Sequence, residues 1–286
     1  MVVDGSNPPI GTKTELGRAP MNRGKLRRDK ILRALVDALK PLDYVHTFYE
    51  GGAAAFNRVD EWSDIDVYIV VDDDRVEDTF RAFEQTLSSL SPIRQKYRLP
   101  QPPYPGVYQA FYRLEDTSEY LLLDLAILQA SSPDKFLEPE MHGNVVFYFN
   151  KSNKASCSPL DMSALRKRIS ERIPRLKARF DMFNSFVQKE INRGNFLEAL
   201  DLYHIMTVGS LVEALRIVHN PVHYDFKMRY VHYELPRKTV QRLERLSFIK
   251  DGRDLQRKYR EATRLFHQVV SEIDEKNVET LTSETS

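Results

Sequence analysis

Gly51-Gly52 and, further on, Ser63-Asp64-Ile65-Asp66-Val67-Tyr68-Ile69-Val70-Val71 join a glycine turn to two carboxylates and an apolar run. The run Val67 to Val71 has the length and β-branched content of a buried strand. Side chains two apart on a strand share a face. Asp64 and Asp66 therefore project together, with Ile65 turned the other way into the core. Two like charges side by side repel unless a cation neutralises them. Carboxylates with open positions suit Mg²⁺ that also holds phosphate oxygens. The glycine pair suits a tight turn whose backbone N–H groups approach phosphates. These parts together imply a nucleoside triphosphate held by metal ions.

A third carboxylate, Asp124, lies inside Leu121-Leu122-Leu123-Asp124-Leu125-Ala126-Ile127-Leu128. An ionised side chain in so apolar a strand is costly unless something compensates it. A metal shared with Asp64 and Asp66 would do so. The alternative is that Asp64 caps a turn and Asp124 pairs with a buried arginine.

This constellation resembles the nucleotidyltransferase superfamily related to DNA polymerase beta. The match consists of Gly51-Gly52, Asp64-Ile65-Asp66 and Asp124. Many small-molecule members carry Ser where this chain has Gly52, so here only backbone N–H groups would serve the phosphates. The resemblance implies an α+β chain, with an N-terminal nucleotidyltransferase mixed-sheet domain followed by a C-terminal helical bundle. The whole chain is similar in layout to aminoglycoside and lincosamide nucleotidyltransferases. Asp64, Asp66 and Asp124 would then be catalytic and would bind two Mg²⁺ ions. Gly51, Gly52, Ser63 and Arg58 would contact ATP or another NTP. A nucleoside monophosphate, AMP from ATP foremost, would pass to a hydroxyl of a small-molecule acceptor, releasing pyrophosphate. A pocket between the domains would hold that acceptor. Two alternatives are a transferase acting on tRNA or on a protein, as in toxin-antitoxin systems, and a non-catalytic nucleotide-binding module.

Composition bounds these readings. The 286 residues allow one large or two modest domains. With 42 basic and 41 acidic residues, the formal net charge of +1 argues against a broad duplex nucleic-acid footprint. No apolar run approaches a membrane span, and the N-terminus lacks a signal-peptide stretch. The single Cys157 excludes an internal disulfide framework, so a cytoplasmic location is expected.

Periodicity sets the expected order. Residues 1–22 read as a flexible tail, 23–155 as the catalytic domain, 156–276 as a helical substrate-binding domain and 277–286 as a second tail. Helices are expected over Arg23 to Lys40 and Arg75 to Leu90. Strands are expected over Tyr44 to Tyr49, Val67 to Val71, Ile93 to Leu99, Val107 to Leu114, Tyr120 to Leu128 and Val145 to Phe149. From about Leu160 the pattern is helical, with Pro174 kinking or dividing the first run. Phe196 to Val218, Arg237 to Phe248 and Leu255 to Ile273 follow as further helices.

Other residues are weighed against plainer roles. Arg58 either reaches a phosphate or is a solvated loop residue. Ser63 bonds a phosphate or caps its turn. Glu138, Glu140 and His142 read better as loop residues than as substrate acids. The basic run Arg166 to Arg179 and the cluster Arg23 to Lys30 read as solvated helix faces. His219 and His223 flank Pro221, which excludes a regular helical zinc pair. Met228 to Pro236 lines a cleft or packs a helix. Trp62 shields the site or simply packs.

Overall fold

The computed structural model describes residues 26–151 and 153–276; both expected tails and the start of the first expected helix lie outside them. The described residues divide into two compact units. One runs to Lys135 and resumes over His142–Ser156; the other comprises Phe136–Met141 and the chain from Cys157. The class is α+β.

In the first unit the chain runs α1 (Arg28–Leu39), β1 (Val45–Glu50), a single turn α2 (Gly52–Ala55), β2 (Ile65–Val71), α3 (Val76–Leu90), β3 (Ile93–Arg98), β4 (Val107–Leu114) and β5 (Leu123–Gln129). β6 (Val146–Asn150) completes it, after a turn α4 (Pro139–His142) whose first three residues belong to the second unit. Among the described residues six strands form one mixed sheet of order β3-β4-β5-β2-β1-β6. β2 and β5 are parallel, and every other neighbouring pair is antiparallel.

One face of the sheet is apolar because one residue in two along each central strand is. Ile65, Val67, Ile69 and Val71 of β2 alternate with the residues of the opposite face, as do Leu123, Leu125 and Ile127 of β5. The stripes Ile31, Leu32, Leu35, Leu39 of α1 and Val76, Phe80, Phe83, Leu87 of α3 join them in one core. Each such side chain taken from water contributes roughly 1.5–3 kcal/mol. α1 stops before Pro41, and α3 carries Glu77 and Asp78 in its first turn, where the helix dipole favours negative charge. The opposite face carries Asp66, Tyr68 and Asp124.

The second unit is helical: α5 (Met162–Phe183), α6 (Ser185–Arg193), α7 (Phe196–Leu202), α8 (Gly209–His219), a turn α9 (Val231–Glu234), α10 (Arg237–Ser247) and α11 (Gly252–Lys276). Asp161 caps α5 by accepting from Ser163 N and Ala164 N at 3.0 Å. Three expectations change here. α5 continues through Pro174 without being divided. α6 forms a separate helix over a stretch to which the reading gave no element of its own. The expected helix Phe196 to Val218 is interrupted by a wide π-helical turn over Tyr203–Val208. The extra residue in that turn accompanies two buried bonds, Tyr203 OH to Leu246 O (2.9 Å) and Thr207 Oγ1 to Asn184 Oδ1 (2.6 Å). Among the described residues no helix is long and apolar enough to cross a membrane.

Candidate active site

The register of β2 against β5 brings the separated carboxylates together. Asp66 stands directly opposite Asp124, with Ile65 opposite Leu123. Neighbouring strands lie about 4.8 Å apart, so laterally paired residues are adjacent on one face. Asp64, two residues before Asp66, opens β2 and is tied to β5. Its Oδ1 accepts from Leu122 N at 3.3 Å, and Ile65 N donates to Leu122 O at 2.9 Å. All three carboxylates are half-buried, and Asp66 and Asp124 lie on the sheet face opposite α1 and α3.

Asp124 has a hydrogen-bond donor on the neighbouring strand β4. Gln109 Nε2 donates to its Oδ1 at 2.7 Å from β4. Gln109 faces Ala126 in the β4–β5 ladder, so it is the diagonal neighbour of Asp124 on the same face. That bond fixes the orientation of the carboxylate.

The glycine turn abuts these residues. Gly52 has φ +53°, and a Cβ built on it would stand 1.8 Å from Asp66 Oδ2. The turn and the carboxylate thus share one space that only glycine leaves open. Gly51 differs from its expected part: its N–H donates to Asp66 O at 2.9 Å and is spent on the sheet. Its missing side chain instead admits the Tyr68 ring, whose Cε2 would lie 2.9 Å from a Cβ there. The N–H groups of Gly52, Ala53 and Ala54 open α2, where an intrahelical partner does not exist; Ala55 N returns to Gly51 O at 3.3 Å.

Ser63 and Arg58 lie in the loop between α2 and β2. Ser63 Oγ donates to Asp60 Oδ1 (2.8 Å) and accepts from Asp60 N (2.9 Å), closing its own turn. The half-buried Arg58 guanidinium lies over the Phe56 ring, 5.0 Å from its centroid.

Two residues that the sequence reading passed over hold the site from behind. Arg28, expected on a solvated face, is 21% exposed in its side chain. Its guanidinium donates to the carbonyl of Asp64 and to Glu50, so it links the residue before Gly51 to the first aspartate. Burial lowers the Arg28 guanidinium from its usual range, while Tyr148 and the charges of Asp66 and Asp64 oppose that. Glu50 is 3% exposed and also accepts from Tyr148 OH at 2.8 Å. The only sequence signal for Glu50 is an acid adjoining the glycine pair.

The other candidates have structural partners. Glu140 accepts from Leu160 N at 3.1 Å. Arg172 forms a two-bond pair with Glu213 (2.5 and 2.9 Å), so the basic run of α5 is not wholly solvated. His223 is buried between Met141 O (2.9 Å) and Glu234 Oε1 (2.8 Å). The fully buried Arg216 donates to Glu234 (2.6 Å) and to the carbonyls of Lys227 and Arg229, which pins the start of the 228–236 segment. Burial raises the Glu234 carboxyl, but hydrogen bonds and charge from His223 and Arg216 outweigh it and hold it below its ordinary value.

Among the described residues no group of three or more His, Cys, Asp or Glu side chains is placed to hold a metal ion by itself. The site offers oxygen donors beside a glycine turn, the set that suits Mg²⁺ shared between one or two carboxylates, water and substrate phosphates.

No family model matches the sequence, and no curated protein matches it. Among solved structures it is similar to an aminoglycoside 6-adenyltransferase from Bacillus subtilis, at 15% identity over 91% of this chain and 98% of that one, with a TM-score of 0.35. It is also similar to a STING-associated CdnE c-di-GMP synthase from Capnocytophaga granulosa, at 17% identity over 85% and 79%, with a TM-score of 0.28. Likeness at this level leaves the function to be read from the side chains of this chain.

Proposed function

We propose that this chain is a nucleotidyltransferase, moving a nucleoside monophosphate from an NTP, ATP foremost, to a hydroxyl of a small-molecule acceptor and releasing pyrophosphate. The observation that carries this reading is Asp66 standing opposite Asp124 on adjacent parallel strands, with the open Gly52 backbone against the Asp66 carboxylate.

The phosphates lie over the Gly52 turn, where first-turn N–H groups and the lack of a side chain accept them. Asp64, Asp66 and Asp124 are the residues that would hold Mg²⁺, which when bound supplies charge neutralisation at the phosphates. Asp124, oriented by Gln109, receives the proton of the attacking hydroxyl as general base. The bond from that oxygen to the α-phosphorus forms as the bond to the β-phosphate oxygen breaks, and pyrophosphate leaves. Arg28 and Glu50 keep the two halves of the motif in register from the helix-covered side.

Mass spectrometry tests the reading. The protein is incubated with each of the four NTPs and a panel of hydroxylated aminoglycosides and lincosamides. An acceptor heavier by one nucleoside monophosphate supports it. Phosphate release with no nucleotidylated product from any acceptor contradicts it.

A further inference from the structure

We infer that Trp62 and Tyr120 form the subsite for the nucleobase of the NTP, an inference that rests on the proposed function. Trp62 lies two residues before Asp64, and Tyr120 two residues before Leu122, whose N–H binds Asp64. Because β2 and β5 are parallel, the chain enters both from the same edge, and the two rings meet there. Their centroids are 4.9 Å apart with planes at 72°, and each residue is 52% exposed. Tryptophan is more buried than this on average.

The approach to both rings is fixed by polar bonds. Asp60 Oδ1 accepts from Trp62 N at 3.0 Å as well as from Ser63 Oγ. Ser118 holds the other approach, its carbonyl accepting from Leu121 N at 3.1 Å and its Oγ from Tyr120 N at 3.3 Å. The rings are therefore offered on set turns beside the carboxylates.

Direction selects this pair. In phosphoryl transfer the attacking and leaving oxygens are roughly in line. With the leaving phosphates over Gly52 and the attacking hydroxyl at Asp124, that line runs across the strands. The nucleoside oxygen lies crosswise to it, along the strands. Toward the strand ends the same face is closed by Val70, Ala126 and Leu128, all buried. Toward the strand starts it reaches Trp62 and Tyr120. A flat nucleobase stacks on an aromatic face with little demand on its identity, purines over more area than pyrimidines.

Trp62 is the only tryptophan in the chain, so its fluorescence reports this subsite alone. The full chain with Mg²⁺ is titrated with ATP, GTP, CTP and UTP in turn, and with inorganic tripolyphosphate. Saturable quenching by the NTPs, strongest with purines, is expected, with tripolyphosphate competing without quenching. Trp62→Ala and Tyr120→Ala should weaken NTP binding measured by calorimetry roughly 5- to 100-fold and leave tripolyphosphate binding unchanged, with circular dichroism intact. NTP binding by calorimetry with no change in emission, and equal affinity in Trp62→Ala, overturns the subsite and leaves the proposed function standing. No NTP binding to the wild type overturns both.

Discussion

Replacing Gly52 by alanine separates two effects that the glycine turn combines. The residue has φ +53°, a conformation that costs an L-residue roughly 1–2 kcal/mol. The added Cβ also meets Asp66 Oδ2 at 1.8 Å, where real contacts stay beyond 3.0 Å. The carboxylate must retreat by about 1 Å, and a misplacement of that size at a reacting centre costs about 100-fold in rate. Gly194 supplies the control. It has φ +77° at the end of α6, and a Cβ there meets nothing within 4 Å. Both variants should lose about 1–2 kcal/mol of stability in urea unfolding, but only Gly52→Ala should lose pyrophosphate release, by about 100-fold or more. Wild-type turnover in Gly52→Ala, or an equal loss in Gly194→Ala, would contradict the contact between the turn and Asp66.

Arg28→Ala leaves the Glu50 carboxylate buried without its guanidinium and should cost about 3 kcal/mol in urea unfolding; Arg28→Lys should recover part of it. Gln109→Leu removes the donor to Asp124 at nearly constant shape, so turnover should fall about tenfold or more while the unfolding midpoint moves little. Glu234 should give the second unit an acid-sensitive stability. Its carboxyl is held below the ordinary 4.5, so its contribution is complete above pH 4.5 and is lost as pH falls through the lowered folded value. Comparing Tm across pH, the gap between wild type and Glu234→Gln should narrow on acidification, and a constant gap would count against the linkage.

What the sequence made legible was local. The two-residue period of Ile65 to Val71 put Asp64 and Asp66 on one face before any partner strand was known. Asp124 stood out as a lone acid within the apolar run Leu121 to Leu128. The mixed sheet covered by helices on one face also followed from these runs. Residues whose role depends on register were not legible. Gln109 reaches Asp124 only through the β4–β5 ladder, and Glu50 meets Arg28 only because α1 packs over β1 and β2. Arg28 was hidden beside Arg27 and Lys30, which do face water. The wide turn at Tyr203–Val208 has no local signature either, because it accompanies bonds to Leu246 and Asn184 far along the chain. α6 was missed because only Val187, Glu190 and Ile191 along it are buried, too few for a continuous stripe.

The pairing of Asp66 with Asp124 is the centre of the proposed chemistry. Pyrophosphate release from NTP with Mg²⁺ and a responsive acceptor, compared for wild type, Asp66→Asn and Asp124→Asn at matched unfolding midpoints, tests it most directly. The account predicts release in the wild type and a loss of about 1000-fold or more in each variant, as expected when preorganised charge at the reacting phosphate is removed. Release at the wild-type rate from either folded variant would contradict it.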